Sequence, residues 1–205
     1  MNEKHYCPSC GENVDTTVID RGRRKDLCCV FCGFPIDVAH PQQFSAQRGI
    51  FIVDDSKLLV QMINDYFIKN ELSKKIILAY DGGSFITQYV QQLRAGEQID
   101  LVILDIVMPV LSGINAAIAM RAIETAFSKE RSPILFFSSK RADDQLLAAM
   151  KFCAPAHYIC KGEPENTDDL CERMYKVANN LLVESQSIKE ETPSEETDNR
   201  DNSRL

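Results

Sequence analysis

The sequence predicts an α/β protein: a five-stranded parallel sheet with helices on both faces, preceded by a small cysteine-rich module. Three observations predict it. Between residue 49 and about residue 184, five short apolar runs alternate with segments of helical periodicity. Those runs are continuous rather than alternating, as in parallel strands buried on both faces. Two Cys-x-x-Cys-Gly sequences, Cys7–Gly11 and Cys29–Gly33, stand ahead of them, 18 residues apart.

The elements follow in order. Thr16–Ile19 in the first module reads as a strand, and Arg21, Arg23, Arg24 and Lys25 as an exposed turn. Residues 1–40 form that module. Residues 41–48 (PQQFSAQR) are polar, begin with Pro and read as a linker. The main domain, 49–184, has strands Ile50–Val53, Lys75–Ala79, Asp100–Leu104, Pro133–Phe137 and Ala156–Cys160. Leu59, Met62, Ile63, Tyr66 and Phe67 share one helical face between the first two strands. Ile86, Val90 and Leu93 share another, as do Leu170, Met174, Val177 and Leu181 near the end. Ser112 is placed to cap a helix beginning near Ile114. Alternation of this kind puts helices on both faces of the sheet. Residues 185–205 are acidic and nearly free of large apolar groups, with a formal charge of −3. They bury too little to offset ordering entropy and read as a disordered tail.

Composition narrows the function. The 205 residues carry a net charge of −7, which disfavours bulk attraction to nucleic acid or to an acidic membrane. No apolar run approaches the roughly 18 residues of a membrane helix, and MNEKHYCPSC offers no signal peptide. A cytoplasmic setting follows as the expectation. The eight cysteines then read as metal ligands or reduced core thiols rather than disulfides.

The candidate site lies at the ends of the strands. Asp54 and Asp55 follow the first, Asp105 the third, Ser138 the fourth and Lys161 the fifth. In an open parallel sheet, ligands bind outside the carboxyl ends of the strands. Three carboxylates gathered there repel one another unless a cation joins them, and a hard oxygen-seeking ion such as Mg²⁺ suits them. A helix N-cap role would account for one of these acids, but not for three plus a lysine at a strand end.

These residues carry a resemblance. Asp54-Asp55, the run from Asp105 through Met108-Pro109 to Gly113, the pair Ser138-Ser139 and Lys161 together resemble a response-regulator receiver domain over 49–184. The resemblance implies the flavodoxin-like strand order 2-1-3-4-5. It implies that Asp105 accepts a phosphoryl group. It also implies Mg²⁺ on Asp54, Asp55, Asp105 and the backbone carbonyl of Val107. Ser138 would bond a phosphoryl oxygen, Lys161 would pair with Asp105 and then with the phosphoryl group, and Tyr158 would be the aromatic switch. The implied partners are a sensor histidine kinase or phosphotransfer protein and a downstream protein. A phosphorylation-dependent homodimer would form through the fourth helix, fifth strand and fifth helix. The only catalysis implied is self-phosphorylation from a phosphodonor.

The chemistry agrees. A carboxylate can act as nucleophile and become an aspartyl phosphate. Phosphoryl transfer needs in-line positioning and neutralised equatorial oxygens, which Mg²⁺, Lys161 and Ser138 would supply. Two departures stand out. Lys161 is followed by Gly162, with proline delayed to Pro164, where the family usually has Lys-Pro. Val107 and Lys140 occupy positions that, in the family, modulate attack of water on the acyl phosphate. An apolar group and a cation orient a water poorly, so a long-lived phosphoryl state is expected.

Cys7, Cys10, Cys29 and Cys32 have the spacing of a structural zinc site, and residues 1–40 resemble a zinc ribbon. Cys28 is the alternative to Cys29, and a rubredoxin-like iron site uses similar knuckles. Cys153, Cys160 and Cys171 read as buried thiols. The ribbon could dock passively, bind protein, or bind nucleic acid through Arg21, Arg23, Arg24 and Lys25. The last option gives the alternative function, a phosphorylation-controlled transcriptional regulator.

Overall fold

The structure is a computed structural model and describes residues 4–20, 25–36, 48–139, 143–162 and 167–191. Most of the 41–48 linker, the tail from 192, and Arg21, Arg23, Arg24, His40, Lys140 and Pro164 lie outside the described residues.

The N-terminal module is two short antiparallel ribbons. β1 (His5–Cys7) pairs with β2 (Glu12–Val14), and β3 (Thr16–Asp20) with β4 (Lys25–Cys29). The main domain alternates strictly: β5 (Gly49–Val53), α1 (Lys57–Lys69), β6 (Lys75–Ala79), α2 (Gly82–Arg94), β7 (Leu101–Asp105), α3 (Gly113–Ala126), β8 (Ile134–Ser138), α4 (Asp144–Phe152), β9 (Ala156–Cys160) and α5 (Thr167–Glu191). The five strands are parallel in the order β6-β5-β7-β8-β9. This is the doubly wound 2-1-3-4-5 order expected from the sequence.

Period-two alternation splits each strand between two cores. Ile50, Ile52, Leu101, Ile103, Leu135 and Phe137 face α1 and α5. Phe51, Val53, Val102, Leu104, Ile134 and Phe136 face α2 and α3. Full burial on both faces explains why these strands read as unbroken apolar runs. The cysteine module joins the first core, where Cys7, Val14, Cys29 and Phe34 pack in one cluster with Ile159 and Met174.

Caps set the helix starts. Ser56, Asp81, Ser112 and Asp143 each accept a backbone N–H from the first turn of the helix that follows. The Ser112 cap matches the sequence reading, with the helix starting at Gly113.

Three readings need correction. In α2, Phe85, Tyr89 and Leu93 form the buried stripe, while Ile86 and Val90 are half-buried. The Phe51 ring decides this rotation: it meets Phe85 edge-on at 5.3 Å and Tyr89 at 5.9 Å, and burying aromatics gains more than burying aliphatics. α5 runs on to Glu191 instead of ending near 184. Residues 185–191 (SQSIKEE) have little to bury but include good helix formers. Arg48, counted in the linker, is buried beside β5, where Ser73 Oγ donates to its carbonyl.

Candidate functional site

The crevice lies where strand order reverses, outside the carboxyl ends of β5 and β7. Asp54 follows β5, Asp105 closes β7, Ser138 closes β8 and Lys161 follows β9. Asp54 and Asp105 are buried, whereas Asp55 is exposed. One carboxylate oxygen from each of the three lies within 4.8 Å of the others.

Lys161 organises the buried pair. Its Nζ is 2.7 Å from Asp54 Oδ2 and 2.9 Å from Asp105 Oδ1. The sequence reading paired it with Asp105; the structure adds Asp54. The other oxygen of Asp54, Oδ1, accepts the Ser56 N–H at 2.7 Å. The ammonium also stands 4.5 Å from the centroid of the Phe137 ring. Burial pushes the Asp105 carboxyl above its ordinary range, more than Lys161 pulls it down. Burial works against the Lys161 ammonium too, but hydrogen bonds to Asp105 and Asp54 outweigh it and hold Lys161 above the usual lysine range.

The loop after Asp105 is tightly folded. The Val107 N–H bonds the Asp105 carboxylate, and the Val107 side chain is exposed. Leu111 N–H donates to Pro109 O at 2.8 Å across Val110, whose φ is +67°. This is the rare, strained form of γ-turn, and a β-branched residue is costly at its centre. Gly113 N–H donates to Ile106 O at 3.1 Å, and a Cβ on Gly113 would lie 1.9 Å from Asp105 O. Only glycine allows α3 to start this close to the strand end.

Ser138 is buried at the β8 terminus, and its carbonyl accepts the Lys161 N–H at 2.8 Å. Tyr158, two strand positions before Cys160, is buried on the α2/α3 side of the sheet. Asp54, Asp55, Asp105, Val107, Ser138 and Lys161 thus lie at this sheet edge, and Tyr158 on a strand leading to it.

The second cluster is Cys7, Cys10, Cys29 and Cys32, whose sulfurs lie within 4.8 Å of one another. Cys7 Sγ is 3.6 Å from Cys32 Sγ, and Cys10 Sγ is 3.8 Å from Cys29 Sγ. A tetrahedral ion with metal–sulfur bonds of about 2.3 Å needs sulfurs about 3.8 Å apart, so the four side chains fit a metal. The knuckles match one another. Gly11 N–H donates to Cys7 O and Gly33 N–H to Cys29 O, with φ of +76° and +72° at the two glycines. Cys10 N–H and Phe31 N–H donate to the sulfurs of Cys7 and Cys29. Hydrogen bonding to Cys32 and Cys7, with burial, pushes the Cys10 thiol far above its ordinary range. The four thiols cannot all ionise without a cation. Cys28 stands apart and donates its S–H to Asp26 O. Cys153 and Cys171 are buried, as expected, and Cys160 is half-buried.

Sequence reasoning missed Ser9 and Arg173, both buried at the junction of module and main domain. The one available signal was Arg173 next to Met174 on an otherwise apolar helix face.

Fold and site together define a receiver. The chain belongs to the response regulator receiver domain family, whose family model matches residues 50–174. Solved structures agree on the fold. A CheY-like response regulator receiver domain protein from Methanospirillum hungatei JF-1 is 18% identical with a TM-score of 0.50, covering 69% of this chain and 98% of its own. The receiver domain of the Francisella response regulator 1452 is 22% identical, also at 0.50, covering 68% and 99%. The receiver domain of the histidine kinase CKI1 from Arabidopsis thaliana, in complex with Mg²⁺ and BeF3⁻, is 14% identical at 0.53, covering 67% and 92%. No curated protein matches the chain. Receiver domains are generally not enzymes beyond their own phosphorylation.

Proposed function

We propose that the protein is a phosphorylation switch in which Asp105 accepts a phosphoryl group from a sensor histidine kinase or phosphotransfer protein. The observation that carries this is Lys161 Nζ, held 2.7 and 2.9 Å from two buried carboxylates at the strand-end crevice. An Asp105 carboxylate oxygen attacks phosphorus while the bond from phosphorus to the donor atom breaks, giving an aspartyl phosphate. Lys161 already stands at the nucleophile, and its ammonium and the Ser138 hydroxyl take phosphoryl oxygens. Asp54, Asp55, Asp105 and the Val107 carbonyl hold Mg²⁺, which supplies charge neutralisation when bound. The CKI1 receiver domain, solved with Mg²⁺ and BeF3⁻, supports Mg²⁺ as the ion.

Tyr158 transmits the change, and α4, β9 and α5 present it to a downstream protein or a second copy of the chain. The cysteine cluster holds Zn²⁺ as a structural ion, which in so small a module supplies much of the folding free energy. Reduced cysteines fit a cytoplasmic setting, and among the described residues no helix is long and apolar enough to cross a membrane. Intact mass after incubation with Mg²⁺ and acetyl phosphate tests the switch. One phosphoryl adduct on the wild type and none on Asp105→Asn is expected. An adduct that persists on the variant overturns the assignment.

A further inference from the structure

β9 is an edge strand, paired on one side by β8. Its other side is bonded to the Cys7–Cys10 knuckle. Cys160 N–H donates to Ser9 O at 3.0 Å, and Ser9 Oγ donates to Tyr158 O. Arg173 of α5, itself 4% exposed, closes the join: Nε donates to Pro8 O at 2.9 Å and Nη2 to Cys160 O at 2.6 Å. Gly11 makes room for it, since a Cβ there would lie 2.7 Å from Arg173 Nη2. Asp169 Oδ2 balances the guanidinium from 3.6 Å. A main-chain turn bounded by two candidate metal ligands is thus fastened to Tyr158 and Cys160. The next residue is Lys161, whose N–H holds Ser138 O and whose ammonium bridges Asp54 and Asp105.

We infer that the cysteine module regulates the phosphoacceptor site: with metal bound, its knuckle clamps the end of β9 and positions Lys161, so that metal on the four cysteines and a phosphoryl group on Asp105 favour each other. The inference rests on the phosphoacceptor reading above. Four thiolates around a cation hold the Cys7–Cys10 turn rigid. Without the ion, a module with so little core loses that order. Ser9 and Pro8 then no longer fix β9 and Arg173. Lys161 and Ser138 sit at the loosened strand ends, and a group that must be ordered during capture binds phosphoryl oxygens less well than one already in place. Ser9 and Arg173 are positioning residues; neither lies at the reacting atoms. Coupling between two sites is reciprocal, so phosphoryl occupancy tightens metal binding by the same factor.

The test compares the full chain loaded with Zn²⁺ and the same chain stripped by a chelator and dialysed, with beryllofluoride and Mg²⁺ as the phosphoryl mimic. The stripped form is expected to bind beryllofluoride about fivefold more weakly or worse, the lower end of ordinary coupling. Zn²⁺ affinity, measured by chelator competition, is expected to rise by the same factor when beryllofluoride is present. Should stripping unfold the main domain, Zn²⁺-loaded Ser9→Ala and Arg173→Met carry the test. Both are expected to keep Zn²⁺, bind beryllofluoride more weakly, and exchange the Cys160 amide hydrogen faster. Equal beryllofluoride affinity in all these forms overturns the coupling and leaves the phosphoacceptor reading intact. No beryllofluoride binding in any form overturns both, and a chain that takes up no Zn²⁺ overturns the coupling through its metal.

Discussion

The Lys161 ammonium lies 2.7 Å from Asp54 Oδ2, nearer than the 2.9 Å that separates it from Asp105. Before any phosphoryl group arrives, this lysine is the counter-ion of a buried acidic pair. Mg²⁺ held as proposed by Asp54, Asp55 and Asp105 would neutralise the same charges. Lysine and metal are therefore partly interchangeable in the resting state, though not during phosphoryl capture.

Lys161→Met should expose that division. Losing the cation leaves two buried carboxylates facing each other. The expected cost without Mg²⁺ is about 2–3 kcal/mol, toward the low side for a broken buried pair because Lys161 is 18% exposed. Saturating Mg²⁺ should recover most of it, while the phosphoryl adduct stays below a tenth of the wild-type level. Urea unfolding with and without Mg²⁺ reads the first effect and intact mass the second. Equal stabilisation of variant and wild type by Mg²⁺ would refute the shared-charge account.

Asp105 makes a prediction of its own through pH. Its carboxyl is held above the ordinary range because burial outweighs Lys161. A group whose folded value is raised destabilises the folded state when ionised. That penalty is complete above the folded value and is relieved as pH falls toward the unfolded value near 3.9. Asp105→Asn should therefore raise the melting temperature at pH 7 in Mg²⁺-free buffer. The gain should shrink as pH falls through the raised folded value and be gone by about 4. Lys161 has the opposite sign: its raised value gives stability that is complete below about 10.4 and lost only as pH rises past the folded value. Melting curves from pH 4 to 8 check the carboxylate, and a variant that melts lower than wild type at pH 7 contradicts it.

A buried polar network ties α2, α3 and the approach to β8 together. Arg121 Nη1 is 2.6 Å from Glu124 Oε2, both on α3 and almost fully buried. Tyr89 O–H and Ser132 N–H each donate to Glu124 Oε1 at 2.8 Å. Arg121 also donates to the carbonyls of Cys153 and Pro155. Glu124→Ala would leave the guanidinium buried without its anion, at an expected cost of about 3–5 kcal/mol by urea unfolding. Arg121→Met with Glu124→Leu should restore much of that, since a well-packed apolar pair replaces a buried ion pair at little cost. A double variant no better than the single one would mean that the network does more than neutralise charge.

This network shows where sequence reading stops. The strands were legible because burial on both faces leaves unbroken apolar runs, and Asp54, Asp105, Ser138 and Lys161 were legible because each stops such a run. Arg121 and Glu124 look like an ordinary i, i+3 pair on a solvated face; only Tyr89 and the Cys153–Pro155 turn, distant in sequence, show them to be internal. The α2 stripe was misplaced by one residue for the same reason, because Phe51 sets its rotation from another element. Ser9 carried no local signal and Arg173 only its place on an apolar helix face, since each bonds a carbonyl far away in the chain.

The cysteine cluster separates two neighbours that spacing alone left open. Cys29 belongs to the four-sulfur group, whereas Cys28 bonds Asp26 O on the far side of the strand. One Zn²⁺ per chain is expected in native mass spectra, retained in Cys28→Ser and lost in Cys29→Ser. Loss of the ion in both variants would point to collapse of the module rather than to ligation.

Val107 bears on how long the signal lasts. Its side chain is 62% exposed beside Asp105 and offers no group to orient a water. Hydrolysis of the acyl phosphate needs a water held in line with the phosphorus. With none held by Val107, the phosphoryl state is expected to persist for many minutes at neutral pH with Mg²⁺ present. Val107→Asn or Val107→Glu places a polar group there and should shorten the lifetime by about tenfold, or about 1.4 kcal/mol in the barrier. Loss of the adduct followed by intact mass decides it. A wild-type adduct gone within seconds, or a lifetime untouched by either substitution, would move control of hydrolysis away from this position.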